Sequence, residues 1–335
     1  MKNFFVANLK PNTQVKDVFL VKSLSIKQKK SGEDFIVMEL ADRTGVISAV
    51  VWENVNEIRG TINQNDFVKI NGDVGIYQDS KQLTIRLIKK VGEEEVEPKD
   101  FLSFSPRNFN EMFEQFRKYI EMIQDKYLRE LIDKMFEDKE VLEGFLNAPA
   151  ATQMHHSYIH GLLEHTLGVI KNCLSLAENY PECNRDLLMV GGILHDIGKI
   201  CEFSYKRSIQ YTMAGRLEGH ITIGVEMIEE KLRKIKGFPE ETKILLKHMI
   251  LSHHRLLEYG SPKRPKTLEA LVLSYSDIID AEMHTYITGL KKSRENNLLF
   301  TNYMKIFERQ MYSGGRIDNI RLEDSLKNLK EETEI

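Results

Sequence analysis

Near residue 92 the spacing of apolar side chains changes, and with it the kind of structure the chain can build. From Val15 to Val91 hydrophobic residues alternate with polar ones and many are β-branched, the pattern of half-buried strands. Five such runs occur: Val18 to Val21, Phe35 to Leu40, Val46 to Trp52, Phe67 to Ile76 and Leu83 to Ile88. Turn signals at Ser31-Gly32, Arg43-Thr44-Gly45 and Gln78-Asp79-Ser80 separate them. Short strands so closely spaced predict a small closed barrel over residues 1–92.

The second half follows another rule. Gly92-Glu93-Glu94-Glu95-Val96-Glu97-Pro98-Lys99 is charged and closed by proline, which predicts a linker over 93–104. Ser105-Pro106 predicts an N-cap with proline at the first helical position. To about Asn147 the apolar spacing is then helical, with Phe109, Met112, Phe113, Phe116 and Ile120 in one stripe. These features predict a multidomain chain, and 335 residues suffice for two cores. The expected divisions are a helical segment at 105–150 packed on a helical core at 151–290, then a late helix and charged tail at 291–335, the tail running from Arg321 to Ile335.

All ten histidines lie between positions 155 and 284. The most informative stands in Gly192-Ile193-Leu194-His195-Asp196-Ile197-Gly198-Lys199, at the end of an apolar helix from Leu187 to Leu194 that Gly198 is expected to terminate. An isolated His-Asp pair is commonly just a hydrogen bond. Here, however, an unpaired buried charge would cost several kcal/mol, and a shared metal ion would satisfy both groups.

Helical spacing brings further ligands inward. A helix from Tyr158 to Tyr180 puts His165 in line with Leu162, Val169 and Cys173, and His195 follows Leu188 and Gly192. His220 opens the next helix, Glu240 to Leu251 delivers His253-His254 at its end, and a helix over Leu268 to Asp280 presents Asp277. Metal sites in bundles are built from such inward-facing positions. Imidazoles and carboxylates without a thiolate favour a borderline to hard divalent ion, Mn²⁺, Fe²⁺ or Mg²⁺.

The ordered series His165, His195-Asp196, His220, His253-His254 and Asp277 resembles the HD-domain superfamily of metal-dependent phosphohydrolases, over roughly residues 150 to 285. The resemblance implies an all-α HD bundle in which His165, His195, Asp196 and Asp277 form the minimal one-metal set. It further implies His220 and one or both of His253 and His254 as the added ligands of two-metal members, with Asp196 bridging the ions and Asp280 as a rival to Asp277. Two such ions would activate water for attack on a phosphodiester. Lys199, one turn past His195, then reads either as a contact to substrate phosphate, catalytic together with Asp196, or as a helix-terminal cation. His155, His156 and His160 match no metal position, contact with substrate phosphate being their alternative role, and His248 and His284 are expected to be structural.

Asp34 to Ile47 resembles the second and third strands of an OB-fold of the nucleic-acid-binding type. Such barrels stack bases on aromatic rings while cations follow the phosphates. Phe35, Trp52 and Tyr77 are the candidate platforms, and Lys22, Lys27, Lys29, Lys30, Arg43 and Lys81 the candidate cations, although each ring has core filling as its competing use. Residues 1–92 carry 14 Lys and Arg against 10 Asp and Glu, an excess of four in a chain of net charge −3, so the barrel half is the basic part.

An OB-like barrel joined to an HD core resembles the YhaM-type 3′→5′ exoribonuclease family, as does Leu251-Ser252-His253-His254 followed by Glu258-Tyr259-Gly260-Ser261-Pro262-Lys263-Arg264-Pro265. That resemblance implies Mn²⁺-dependent removal of nucleoside 5′-monophosphates from the 3′ end of single-stranded RNA, with single-stranded DNA a further substrate. The rivals are a cyclic-dinucleotide phosphodiesterase, disfavoured by the order Tyr259-Gly260-Ser261-Pro262, a nucleotide phosphohydrolase, and a non-catalytic single-strand binder.

Cys173, Cys183 and Cys201 form no metal-type spacing and are odd in number, which points to a reducing cytoplasm. The apolar run Phe4 to Ala7 is too short for a signal peptide, and no stretch approaches the ~20 residues that span a bilayer. The amphipathic helices of 105–147 and near residue 300 are the candidates for a homo-oligomer interface.

Overall fold

The computed structural model describes residues 2–78, 80–152, 156–205 and 208–314, so Asp79, His155 and the charged tail lie outside the described residues. The expected five strands form, four of them longer than the apolar runs that announce them and β3 equal in length but shifted by one residue: β1 (Gln14–Gln28), β2 (Asp34–Asp42), β3 (Gly45–Val51), β4 (Phe67–Tyr77) and β5 (Ser80–Val91). They close into a barrel in the order β1-β2-β3-β5-β4, with only β3 and β5 parallel.

Closure depends on β1. Its first half pairs with β4 from Gln14 to Leu20 and its second half with β2 from Leu20 to Gln28, and a bulge between Val21 and Ser23 bends the strand from one partner to the other. Inward residues such as Phe19, Ile36, Leu40, Ile70 and Leu83 are fully buried. A one-turn helix, α1 (Val55–Ile58), covers one end with Val55 and Ile58.

The stretch after the barrel is not the free linker its charge suggests. It folds into 3-10 turns at Glu93–Glu95 and Pro98–Asp100. Val96 and Phe101 pack on Leu20 and Phe67, with the Phe67 and Phe101 rings 4.6 Å apart. Two apolar anchors in an otherwise charged run are enough to dock it on the barrel.

Ser105 does not cap a helix. Its hydroxyl donates to Glu164 Oε2 at 2.5 Å and accepts from the Arg107 amide at 3.0 Å. The helix begins three residues later, because Asn108 offers its side-chain oxygen to the amides of Asn110 and Glu111. Three short helices follow rather than one: α2 (Phe109–Glu121), α3 (Lys126–Phe136) and α4 (Lys139–Asn147), the latter two capped by Asp125 and Asp138. Phe116, Phe136 and Phe145 meet between them with ring separations of 5.0 to 5.3 Å. Burying side chains of this size is worth roughly 1.5–3 kcal/mol each.

The remaining elements are α5 (Gly161–Asn179), α6 (Arg185–Leu194), α7 (Lys199–Glu202), the small strands β6 (Phe203–Ser204) and β7 (Gln210–Tyr211), α8 (Met213–Leu217), α9 (Gly219–Leu232), α10 (Glu240–Ser252) and α11 (Leu268–Glu295). α5, α6, α10 and α11 share one core built on Leu163, Ile170, Leu188, Ile193, Leu246 and Leu273.

α11 runs 28 residues, far past Asp280. It stops at Asn297, left-handed at φ 52°, where the amides of Asn297 and Leu298 return to the carbonyls of Arg294 and Ser293. The expected late helix near residue 300 does not form. Thr301 instead exchanges hydrogen bonds with Met311, and the bridges Phe300 to Tyr312 and Met304 to Arg309 fold the segment back on itself. Once the asparagine pair ends the helix, pairing those backbone groups satisfies them more economically than nucleating another helix.

Candidate metal centre and nucleic-acid face

Five histidines turn one nitrogen outward to an acceptor and the other toward a common centre. The Nδ1 of His195 donates to the Gly192 carbonyl at 2.8 Å, that of His253 to Ile250 at 2.7 Å, and that of His254 to Tyr259 at 2.9 Å. His165 Nδ1 donates to Asp280 Oδ2 at 2.7 Å and His220 Nδ1 to Glu202 Oε1 at 3.0 Å. Carbonyls and carboxylates can only accept, so each Nδ1 carries a hydrogen. Nε2 is thereby the nitrogen each ring offers as a ligand.

Those nitrogens form two sets. His165, His195 and Asp277 bring ligand atoms within 4.8 Å of one another, and so do Asp196, His220, His253 and His254. Asp196 faces both. Its Oδ2 lies 3.3 Å from His195 Nε2 and 3.5 Å from His165 Nε2, while its Oδ1 lies 3.3 Å from His220 Nε2 and 3.5 Å from His253 Nε2.

Asp196 Oδ1, His220 Nε2 and His253 Nε2 are buried without a directed hydrogen bond. Native proteins seldom leave such atoms unsatisfied, because each costs 1 kcal/mol or more, roughly. Electron pairs converging from imidazoles and carboxylates are what a divalent cation satisfies, so these residues fit the metal that the sequence implies. Asp277 supports the same reading, its Oδ1 lying 3.1 Å from His165 Nε2.

Electrostatics keep most of the set ready to ligate. Burial opposes ionisation of Asp196, but Lys199 and His195 hold its carboxyl well below the usual range. Burial lowers His253, and burial with the neighbouring His253 lowers His254 to about 3, so both are neutral near pH 7. His165 differs: burial works against its charge, yet hydrogen bonds to Asp277 and Asp280 raise it to about 10. A proton and a cation therefore compete for His165 Nε2.

Lys199 is buried, with Nζ 2.6 Å from Asp196 Oδ2. Burial disfavours its charge, but Asp196 outweighs that and raises its pKa.

Gly198 does not terminate α6 as expected. Its φ is −64°, so no left-handed cap is involved. A β-carbon there would overlap the His220 carbonyl and crowd the Gly224 amide, so glycine lets α9 come close enough for His220 to reach Asp196.

Sequence reasoning missed Glu202 altogether and weighed Asp280 only as a rival ligand. The one signal for Asp280 was its place a turn after Asp277, on the same face. Asp280 also meets His156 Nε2 at 3.0 Å, and His156 stacks on His284 with ring centres 3.8 Å apart. Tyr158 joins that group by donating to Glu164 at 2.8 Å. His160 bonds the Leu146 carbonyl and packs between Phe104 and Phe109, and His248 accepts from the Lys266 amide.

On the barrel, Phe35 and Trp52 stack 4.8 Å apart at 23°. With Tyr77, Lys27, Lys81 and Gln82 they line a groove of about 440 Å³. Trp52 is 44% and Tyr77 59% exposed, so neither ring is consumed as core. Lys29 Nζ lies 5.6 Å from the Trp52 ring. Of the six candidate cations Lys27 and Lys81 line this groove, and Lys22, Lys29, Lys30 and Arg43 do not. Lys22 is exposed at the β1 bulge, and Arg43 lies over the Phe5 ring and donates to the Lys99 carbonyl, holding the docked linker.

Comparison with known proteins gives two family matches: an HD domain over residues 162–282 and an OB-fold nucleic acid binding domain over residues 21–91. A 3′-5′ exoribonuclease YhaM of Geobacillus sp. (strain WCH70) is 35% identical over 300 residues, covering 89% of this chain and 91% of that one. The YhaM exoribonuclease of Bacillus velezensis is 36% identical over 271 residues, 81% of this chain and 85% of its own. That of Bacillus subtilis (strain 168) is 35% identical over 280 residues, 83% and 88% respectively. Among the described residues no helix is long and apolar enough to cross a membrane.

Proposed function

The chain belongs to the YhaM family of 3′-5′ exoribonucleases, and from that premise we propose that it shortens single-stranded RNA from the 3′ end, releasing nucleoside 5′-monophosphates. The observation that carries this reading is the aim of the two Asp196 oxygens, one toward each histidine set.

His165, His195, Asp277 and Asp196 would hold one divalent ion, and Asp196, His220, His253 and His254 the other. Bound there, the ions would supply a water ionised near neutral pH and positive charge against the phosphoryl oxygens. Nitrogen-rich ligation with carboxylates suits Mn²⁺ best, with Fe²⁺ and Mg²⁺ as the alternatives. Lys199 keeps Asp196 ionised and adds a fixed cation beside the position of the substrate phosphate.

The groove of Phe35, Trp52 and Tyr77 would hold the strand upstream of the cut. Stacking does not sense the sugar, so single-stranded DNA is included among the ligands. The free state of all three cysteines fits a reducing, cytoplasmic setting.

Incubation of 5′-labelled single-stranded RNA with Mn²⁺, against a chelator control, tests the proposal. A ladder receding from the 3′ end with release of 5′-monophosphates supports it. A single internal cut, or equal activity with chelator, overturns it.

A further inference from the structure

Each of the two ligand sets has one carboxylate behind it that does not face the centre, Asp280 half-buried and Glu202 buried. Asp280 stands behind His165, accepting its Nδ1 hydrogen at 2.7 Å, and Glu202 stands behind His220, accepting from both its Nδ1 and its amide at 3.0 Å. Among the described residues, the other three histidines have backbone carbonyls in that place. We infer that Asp280 and Glu202 are positioning residues, one for each metal ion. The inference rests on the two-ion reading of the site.

A backbone carbonyl is fixed by the helix or turn it belongs to, whereas a carboxylate must itself be held. Both are. Asp280 also contacts His156 Nε2 at 3.0 Å, and His156 continues through Tyr158 to Glu164, which Ser105 bonds in turn. Gly168 on α5 makes room for it, since a β-carbon there would overlap Asp280 Oδ1. Glu202 is only 5% exposed, and its second contact, to the His220 amide, anchors it to the first turn of α9.

The pairing has a chemical consequence. A carboxylate behind an imidazole fixes its tautomer and increases its basicity toward the metal, and loss of such a partner costs about 10- to 100-fold in affinity. The first set has a carboxylate of its own, Asp277, besides the Asp196 oxygen that faces it, while the second has Asp196 alone. Glu202 therefore supplies the second site with negative charge that the first obtains from Asp277. Removal of Glu202 should strip the second ion and leave the first; removal of Asp280 should weaken the first.

The test is Mn²⁺ titration followed by calorimetry, with anomalous scattering from Mn²⁺-loaded crystals to assign each ion to its site, on the full chain and on Asp280→Ala, Asp280→Asn, Glu202→Ala and Glu202→Gln. The expected losses are about 10- to 100-fold for one ion only, smaller in Asn and Gln, which keep one accepting oxygen. Gly168→Ala, which displaces Asp280 without altering its chemistry, should reproduce the Asp280 effect. RNA binding by the barrel groove should be unchanged throughout. The inference is overturned if wild type binds two ions and the variants bind both with unchanged affinity, or if either variant loses both ions together. Should wild type bind no ion at these residues, the two-ion reading itself fails instead.

Discussion

Gly198 and His220 touch through their backbones: the glycine lies against the His220 carbonyl so closely that no β-carbon fits between them. The start of α7 is thereby locked to the start of α9, and the imidazole reaches Asp196 Oδ1 at 3.3 Å because of it. Gly198→Ala should push α9 outward and lower kcat by about 100-fold, the cost of a displacement near 1 Å at a catalytic group. RNA binding through the barrel should persist. Unaltered turnover in a folded variant would show that the contact is incidental.

Asp196 predicts a second result. If its carboxylate bridges two ions, Mn²⁺ at a hundred times its dissociation constant should stabilise the folded chain by about 2.7 kcal/mol, seen as a thermal shift of several degrees. Asp196→Asn should abolish both the shift and the turnover. A shift that survives in Asp196→Asn would place the metal elsewhere.

Titration of His165 gives a third. Its pKa of about 10 in the metal-free fold exceeds the ordinary 6.5, so protonation contributes stability that is full below pH 6.5 and is lost as pH rises toward 10. An ion at Nε2 must displace that proton. Metal affinity should therefore increase from pH 7 to 10 while metal-free stability declines over the same window. Calorimetric titration at pH 8 in two buffers of unlike ionisation enthalpy should report about one proton released per chain. Identical enthalpies in the two buffers would contradict it.

Trp52 separates holding from cutting. Removing a stacked ring costs about 1–3 kcal/mol per base, so Trp52→Ala should raise KM for long RNA several-fold or more with little change in kcat. A dinucleotide, too short to span groove and metal centre, should be cleaved as before. Substitution is preferable to deleting the barrel, because Phe101 and Val96 of the connecting segment pack on Leu20 and Phe67. A fall in kcat on the dinucleotide would deny the division of labour.

The aromatic cluster of α2 to α4 has no chemistry and should behave as core. Phe116→Ala, at 1% exposure, should destabilise the chain by about 3–5 kcal/mol, read by denaturant unfolding with Mn²⁺ absent. A loss under 1 kcal/mol would mean that the three helices pack loosely.

The sequence by itself determined what depends on near neighbours. Alternation from Val15 to Val91 marked the five strands, and helical spacing turned His165, His195 and Asp277 inward, because pleat and helix repeat every two and 3.6 residues whatever surrounds them. Tertiary structure alone decided what depends on distant partners. Asn108 rather than Ser105 caps α2 because Glu164, far along the chain, claims the serine hydroxyl. Gly198 reads locally as a helix stop, but its purpose is the approach of α9. Which oxygen of Asp196 meets which imidazoles, and the placing of Glu202 and Asp280 behind two of them, follow from the packing of helices joined by long connections. No local repeat encodes a contact between residues a hundred positions apart; only the shared core that brings α5, α6, α10 and α11 together does.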